Sequence, residues 1–183
     1  MVEASDKDFP DKWETRSLVL AAGRGDQGAF GRLYELYGKL VHGILLSRVP
    51  ADQAEDLTQD VFLTAMRRLD TLRDPEAFGG WLSMIARNRA VDYHRADQRR
   101  AVSPVELRDD MATQNPAPPE ALAVLDVIRG LPEAFRETLV LRLVEGMTGP
   151  EIADRTGLTH ESVRVNLHRG MKMLREKLGG ESQ

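Results

Sequence analysis

Apolar residues recur along this chain at helical spacing and nowhere at the alternation a strand requires. Phe30, Leu33, Tyr34, Tyr37, Leu40, Val41, Ile44 and Leu45 keep a period of about 3.6 residues, which predicts a long amphipathic helix to about Arg48, capped by Asp26. Its aromatic stripe reads as core rather than as a cofactor box. A shorter helix precedes it, from about Ser17 to Arg24, ended by Gly25. Pro50 restarts the chain, and Ala54, Leu57, Val61, Phe62, Ala65 and Leu69 form one arc of a helix from about Ala51 to Leu69. Asp74 can cap the next helix with Pro75 at its first position, carrying Phe78, Trp81, Leu82, Ile85 and Ala86 to about His94. Further on, Leu122, Leu125, Val127 and Ile128 make one helix. Pro132 opens another with Phe135, Leu139, Val140 and Leu143, ended by Gly146. The fold class expected is all-α.

The stretch from Met147 to Glu176 reads as two helices joined by a tight turn. Thr148 caps the first, and Glu151, three positions on, completes a capping box. Gly157 supplies the left-handed residue the turn needs, Leu158 is expected to plug the corner, and Thr159 caps a longer helix starting at His160. Val163, Leu167, Gly170 and Leu174 fall on one face of that helix. Glu161, Ser162, Arg164, Val165, His168 and Arg169 gather opposite, with Lys172 among the bases that follow. This is the pattern of a helix-turn-helix, whose second helix enters the DNA major groove. A helical hairpin with a solvated charged face is the other reading.

Two segments break the periodicity. Residues 1–15 are acidic and aperiodic, so a disordered N-terminal tail is expected there. Residues 101–119 hold Pro104, Pro116, Pro118 and Pro119 without an apolar period, which suits a flexible linker better than a loop inside one compact domain. Two small helical domains follow, 16–100 and 120–179, the second carrying the helix-turn-helix.

Charge changes this picture by its placement. The net charge of −4 is no bulk attraction for a polyanion. Yet Arg87, Arg89, Arg95, Arg99 and Arg100 crowd one stretch, and Arg164, Arg169, Lys172, Arg175 and Lys177 another. Two basic patches on an acidic chain suggest local contacts to phosphate and acidic faces for a basic partner. On the third long helix, Asp52, Asp56, Gln59, Asp60 and Leu63 share the arc opposite the core face. Leu63 is either an isolated exposed leucine or the centre of a docking face. At the end of the fourth, Arg87, Asn88, Asp92, Tyr93, His94 and Arg95 bring bases, an amide and an aromatic together, a mixture suited to nucleic acid. Equally, Asp92 could pair with an arginine one turn away while Tyr93 packs inward.

Much chemistry is missing. Without cysteine there are no disulfides, thiolate metal sites or thiol chemistry, which fits a reducing compartment. His42, His94, His160 and His168 stand in no metal-ligand spacing, no glycine-rich phosphate loop is present, and no Ser–His–acid set can be nominated. No enzyme activity, metal, cofactor or small-molecule substrate is expected. No apolar run reaches membrane-spanning length and the acidic N-terminus is unlike a signal peptide, so a cytoplasmic location is expected.

With both parts read, the chain resembles the small bacterial RNA polymerase sigma factors of the sigma-70 family, the extracytoplasmic-function (ECF) group. The resemblance is carried by GDQGAFGRLYELYGKLV, AEDLTQDVFLTAMRRL, FGGWLSMIARNRAVDYHR, LPEAFRETLVLRLVEGMTGPEIADRTGL and ESVRVNLHRGMKMLRE. It implies a first domain that binds the polymerase clamp and opens the −10 element, and a second that binds the −35 element and the polymerase flap. The clamp contact then maps onto Asp56, Gln59, Asp60 and Leu63. Recognition of a flipped −10 base maps onto Asn88, Asp92 and the residues from Tyr93 to Asp97, with Arg87, His94 and Arg95 beside them. The −35 set is Glu161, Ser162, Arg164, Val165, His168, Arg169 and Lys172. Val165 and Asn166 stand where the family often has a small residue and then a basic one, and Gly170 where it often has alanine. That leaves the −35 sequence open rather than the role. The resemblance also implies control by an anti-sigma protein, and with so little chain after Leu178 no added C-terminal sensory domain is expected.

Overall fold

The computed structural model describes residues 12–102 and 119–179, and among these every regular element is helical. The helices are α1 (Lys12–Gly23), α2 (Gln27–Leu46), α3 (Ala51–Arg67), α4 (Phe78–Val102), α5 (Pro119–Arg129), α6 (Glu133–Leu143), α7 (Gly149–Thr156) and α8 (His160–Gly179). Short 3-10 turns at Leu69–Thr71 and Pro75–Ala77 join α3 to α4.

Local chemistry sets most boundaries. Asp26 accepts a hydrogen bond from the Ala29 amide at 3.0 Å and so starts α2. Pro50 and Pro132, which cannot continue a preceding helix, precede α3 and α6. Asp74 accepts from the Glu76 amide as expected, but the turn it opens is 3-10 and α4 proper begins at Phe78. That helix also runs on to Val102, past the expected end at His94, because no glycine or proline interrupts it. At the other end of the chain α1 begins at Lys12 rather than Ser17. Thr15 sits 3.0 Å from the Tyr37 hydroxyl, and Arg32 lies 3.7 Å from Glu14, so tertiary contacts extend a helix that apolar spacing alone would start later. The expected tail therefore gives up Lys12–Thr15 to α1. Its remainder, and 103–118 of the expected linker, lie outside the described residues.

α2 is the centre of the first group, packed against α1, α3 and α4. Leu33, Leu40, Val41, Ile44 and Leu45 are fully buried, each large side chain contributing about 1.5–3 kcal/mol relative to exposure. The aromatic stripe is core, as its spacing implies: Phe62 meets Phe30 edge-on at 6.3 Å, and Tyr37 meets Phe78 at 5.1 Å. In the second group α6 and α8 form the main pair, with α5 and α7 against them.

The two groups are packed on one another and share one core. α6 lies along α2, and α7 lies against α4. Five consecutive residues of α6, Glu137 to Leu141, are buried, because α8 covers one side and α2 the other. Close approach depends on two glycines. A Cβ on Gly43 would stand 2.7 Å from Leu141 Cδ2, and one on Gly79 would run into the Arg155 carbonyl oxygen.

Candidate polymerase and nucleic-acid interface

The outer face of α3 is acidic with an apolar centre. Leu57, Val61, Phe62 and Ala65 turn inward, which forces Asp56, Gln59 and Leu63 outward. Leu63 is 48% exposed, and Met66, one turn on, is 51% exposed. Sequence spacing singled out Leu63 but not Met66, although the two stand at i and i+3. Asp60 is half-buried, and Arg89 of α4 donates to its carboxylate at 2.6 Å.

On α4, Asn88 and Asp92 are exposed one turn apart, with the exposed Val91 beside them and Met84 one turn before Asn88. Neither apolar neighbour was anticipated. Both halves of the structural alternative occur here: Asp92 lies 3.8 Å from Arg95, and Tyr93 is half-buried against the core, edge-on to His94. The Asp92–Arg95 pair is long and exposed at both ends, worth little in stability, so both side chains remain accessible. The imidazole Nε2 of His94 is 2.8 Å from the Arg48 carbonyl oxygen.

Arg87 is engaged otherwise than its sequence neighbours suggest. It grips Glu137 of α6 with two hydrogen bonds, Nε to Oε2 at 3.1 Å and Nη2 to Oε1 at 2.7 Å. Arg48 adds an ion pair from its own Nη1 to Oε2 at 2.8 Å, and its Nη2 donates to Glu133 at 2.6 Å. Glu137 pushes the Arg87 guanidinium pKa up, chiefly through that hydrogen bonding. Near by, Arg129 donates to the Val49 and Leu46 carbonyls, and Arg155 to that of Leu36. His42 Nδ1 lies 2.7 Å from Glu145 Oε1, and that contact raises the His42 pKa against an opposing effect of burial. These polar links between the groups had no signature in periodicity, which reports each helix's own faces.

The helix-turn-helix forms as its sequence dictates. Thr148 and Glu151 close a capping box, and Gly157 takes φ 77° with its amide bonded to the Ala153 carbonyl at 3.1 Å. Thr159 accepts from the Ser162 amide at 3.1 Å and starts α8. Leu158 does not plug the corner. It is 36% exposed and lines an open cleft with Arg48, Arg87 and Glu137, because Ile152, Ala153, Met147 and Val163 already fill the interior. Glu161, Ser162, Arg164, His168, Arg169 and Lys172 are exposed on α8, and Val165 is half-buried. Gly170 has a packing reason: a Cβ there would lie 3.0 Å from Leu139 Cδ1 and 3.2 Å from Phe135 Cβ. Among the described residues no cluster of His, Asp or Glu could hold a metal ion, and no helix is long and apolar enough to cross a membrane.

Residues 33–100 match Sigma-70 region 2, and residues 121–174 match Sigma-70, region 4. The ECF RNA polymerase sigma factor BldN of Streptomyces coelicolor is 31% identical over 182 residues, covering 94% of this chain and 69% of the relative. The chain belongs to the ECF sigma factors of the sigma-70 family. RNA polymerase sigma factor CarQ of Myxococcus xanthus is 35% identical to this ECF sigma factor over 162 residues, covering 85% of the chain and 92% of the relative. The solved structure of CnrH in complex with the cytosolic domain of CnrY matches it with a TM-score of 0.63 at 28% identity, over 92% of this chain and 99% of that one. In this sigma factor region 2 falls within α2–α4 and region 4 within α5–α8. As a sigma factor it is a transcription initiation factor for RNA polymerase.

Proposed function

We propose that this ECF sigma factor docks on the clamp of core RNA polymerase through Asp56, Gln59, Asp60 and Leu63 of α3. Region 4 contacts the polymerase flap and reads the −35 element with the exposed face of α8: Glu161, Ser162, Arg164, Val165, His168, Arg169 and Lys172. Asn88 and Asp92, with Arg87, Tyr93, His94 and Arg95, receive the opened −10 strand, where pocket contacts offset the few kcal/mol of base extrusion. The chain has no catalytic role of its own, acts in the cytoplasm, and uses its two helical groups, packed together in the closed chain, as two domains joined through the segment between α4 and α5. An anti-sigma protein controls it. CnrH, a structural relative, is seen with the cytosolic domain of CnrY, which supports a partner of that kind. The observation that carries the polymerase assignment is Leu63, 48% exposed at the centre of a face bearing Asp56, Gln59 and Asp60.

Run-off transcription with core polymerase on a genomic fragment library tests the reading. Wild-type protein is expected to start transcripts at discrete sites, and a correctly folded Leu63→Arg protein to start none. A chain that binds duplex sites tightly without core would instead be a free-standing regulator. One that binds core yet starts no transcripts would be a sequestering protein.

A further inference from the structure

Every ion pair that Arg48 and Arg87 make among the described residues runs to α6, none to region 2 itself. The two guanidinium groups, from the turn just after α2 and the middle of α4, converge on the single carboxylate of Glu137. The Arg48 and Glu137 side chains are only 8% and 7% exposed. If region 4 moves away, two adjacent cations are left sharing one point with no carboxylate between them, and their mutual repulsion calls for another anion. A carboxylate held by a two-nitrogen grip from one arginine and a third contact from another is a close geometric stand-in for a phosphodiester, which offers two non-bridging oxygens in the same way. The site also borders the residues proposed above for the −10 strand: Asn88 follows Arg87 directly, and His94 is fixed to the Arg48 carbonyl.

We propose that Arg48 and Arg87 form a phosphodiester-binding site for the promoter strand on region 2, and that Glu137 occupies it in the closed chain. Region 4 and the DNA backbone therefore compete for the same two arginines, and the closed chain is masked against DNA until the groups separate. Arg48 was not among the residues that sequence reasoning assigned to DNA. This inference rests on the −10 reading of α4 proposed above and adds to it a second arginine and an internal competitor.

Reconstituted holoenzyme bound to a promoter fragment, measured over a salt series, tests it. Each phosphate that is no longer neutralised should flatten the slope of log K against log salt by about 0.7 to 0.9. Because both arginines hold the same phosphodiester, Arg48→Ala with Arg87→Ala should flatten it by about 0.7 to 0.9, and the Lys pair at the same positions should restore it. Should the double variant fail to fold, Arg87→Ala alone, whose side chain is 33% exposed, is expected to flatten the slope by part of that amount, at most about 0.9. In the free full-length chain, Glu137→Gln should raise affinity for a single-stranded oligonucleotide several-fold, and that gain should vanish when both arginines are also alanine. An unchanged slope in folded variants whose holoenzyme still initiates overturns the inference and removes Arg87 as a phosphate contact, while leaving the polymerase docking and the other −10 residues of the proposed function intact. Glu137→Gln without any gain in oligonucleotide affinity overturns the masking. Failure of wild-type holoenzyme to initiate at all would instead overturn the proposed function.

Discussion

The two basic stretches, on α4 and on α8, look alike in sequence and differ in the folded chain. On α8, Arg164 and Arg169 are exposed and form no ion pair among the described residues, as α8 packs chiefly on α5, α6 and α7 with its other side outward. On α4 two arginines are held by acids from other helices, Arg87 by Glu137 and Arg89 by Asp60, while Arg95 meets only the exposed Asp92 on its own helix. One patch is presented to solvent and the other is partly withheld by acidic side chains that the fold delivers from elsewhere. Cationic residues close in sequence are therefore an equal electrostatic signal only until tertiary partners are known. The difference also suggests an order of events, with the α8 face able to meet duplex before the α4 patch is released.

The largest expected effect removes both patches from use at once without touching either. Leu63→Arg sets a cation into the α3 face, where loss of a buried interface anchor costs about 2 kcal/mol or more, roughly 30-fold in affinity. On an exposed position the folded state should change by only about 0.5 kcal/mol. Core binding should fall while circular dichroism stays normal. Asp56→Lys should act likewise with stronger salt dependence, and normal core affinity in both folded variants would refute the clamp contact.

Next comes the presented patch. Arg169→Ala should weaken −35 binding by about 1–3 kcal/mol and relax preference at one position if the guanidinium takes a base edge. If it takes only phosphate, binding should fall evenly over all sequences with a shallower salt slope. No effect of either kind would remove this face from the interface. On the withheld patch, Asn88→Ala or Asp92→Ala should leave closed-complex formation intact and lower open-complex yield, read as permanganate reactivity of the −10 thymines. Wild-type reactivity would assign both residues to the fold, alongside the Asp92–Arg95 pair.

How much of this was legible beforehand follows from what periodicity can report. The helix-turn-helix was readable nearly to the residue, because Thr148, Glu151, Gly157 and Thr159 are local devices whose partners lie within a turn. The α3 face was readable because a helix with one buried arc must expose the other. The packing of region 4 on region 2 was not, since Glu137 finds Arg48 and Arg87 across 89 and 50 positions of sequence. One sign existed: the run Thr138-Leu139-Val140-Leu141 carries no charge, as a helix buried on two sides requires. Leu158 was misjudged because a turn residue after a left-handed glycine can face either way, and the corner was already full.

The smallest effect concerns how firmly the α4 patch is withheld. His42 on α2 meets Glu145 beyond α6, so this contact exists only while the groups are together. In the closed chain the His42 pKa is raised above its ordinary value of 6.5, first by the hydrogen bond with Glu145, with the charges of Glu145 and Glu55 adding and burial opposing. A raised value means the closed form binds the proton more tightly than the open one. The contribution to closure is thus full below pH 6.5 and is lost as pH rises through the raised value. The imidazole is about a third exposed, so the shift in population is expected to be modest. The absence of cysteine allows a dye pair at Arg73→Cys and Glu176→Cys, both exposed positions. Energy transfer between the dyes should fall as pH rises through that window, and His42→Asn should flatten the profile. A pH response unchanged in His42→Asn would assign it to another group and leave Glu137, which meets arginines that stay charged throughout, as the dominant tie.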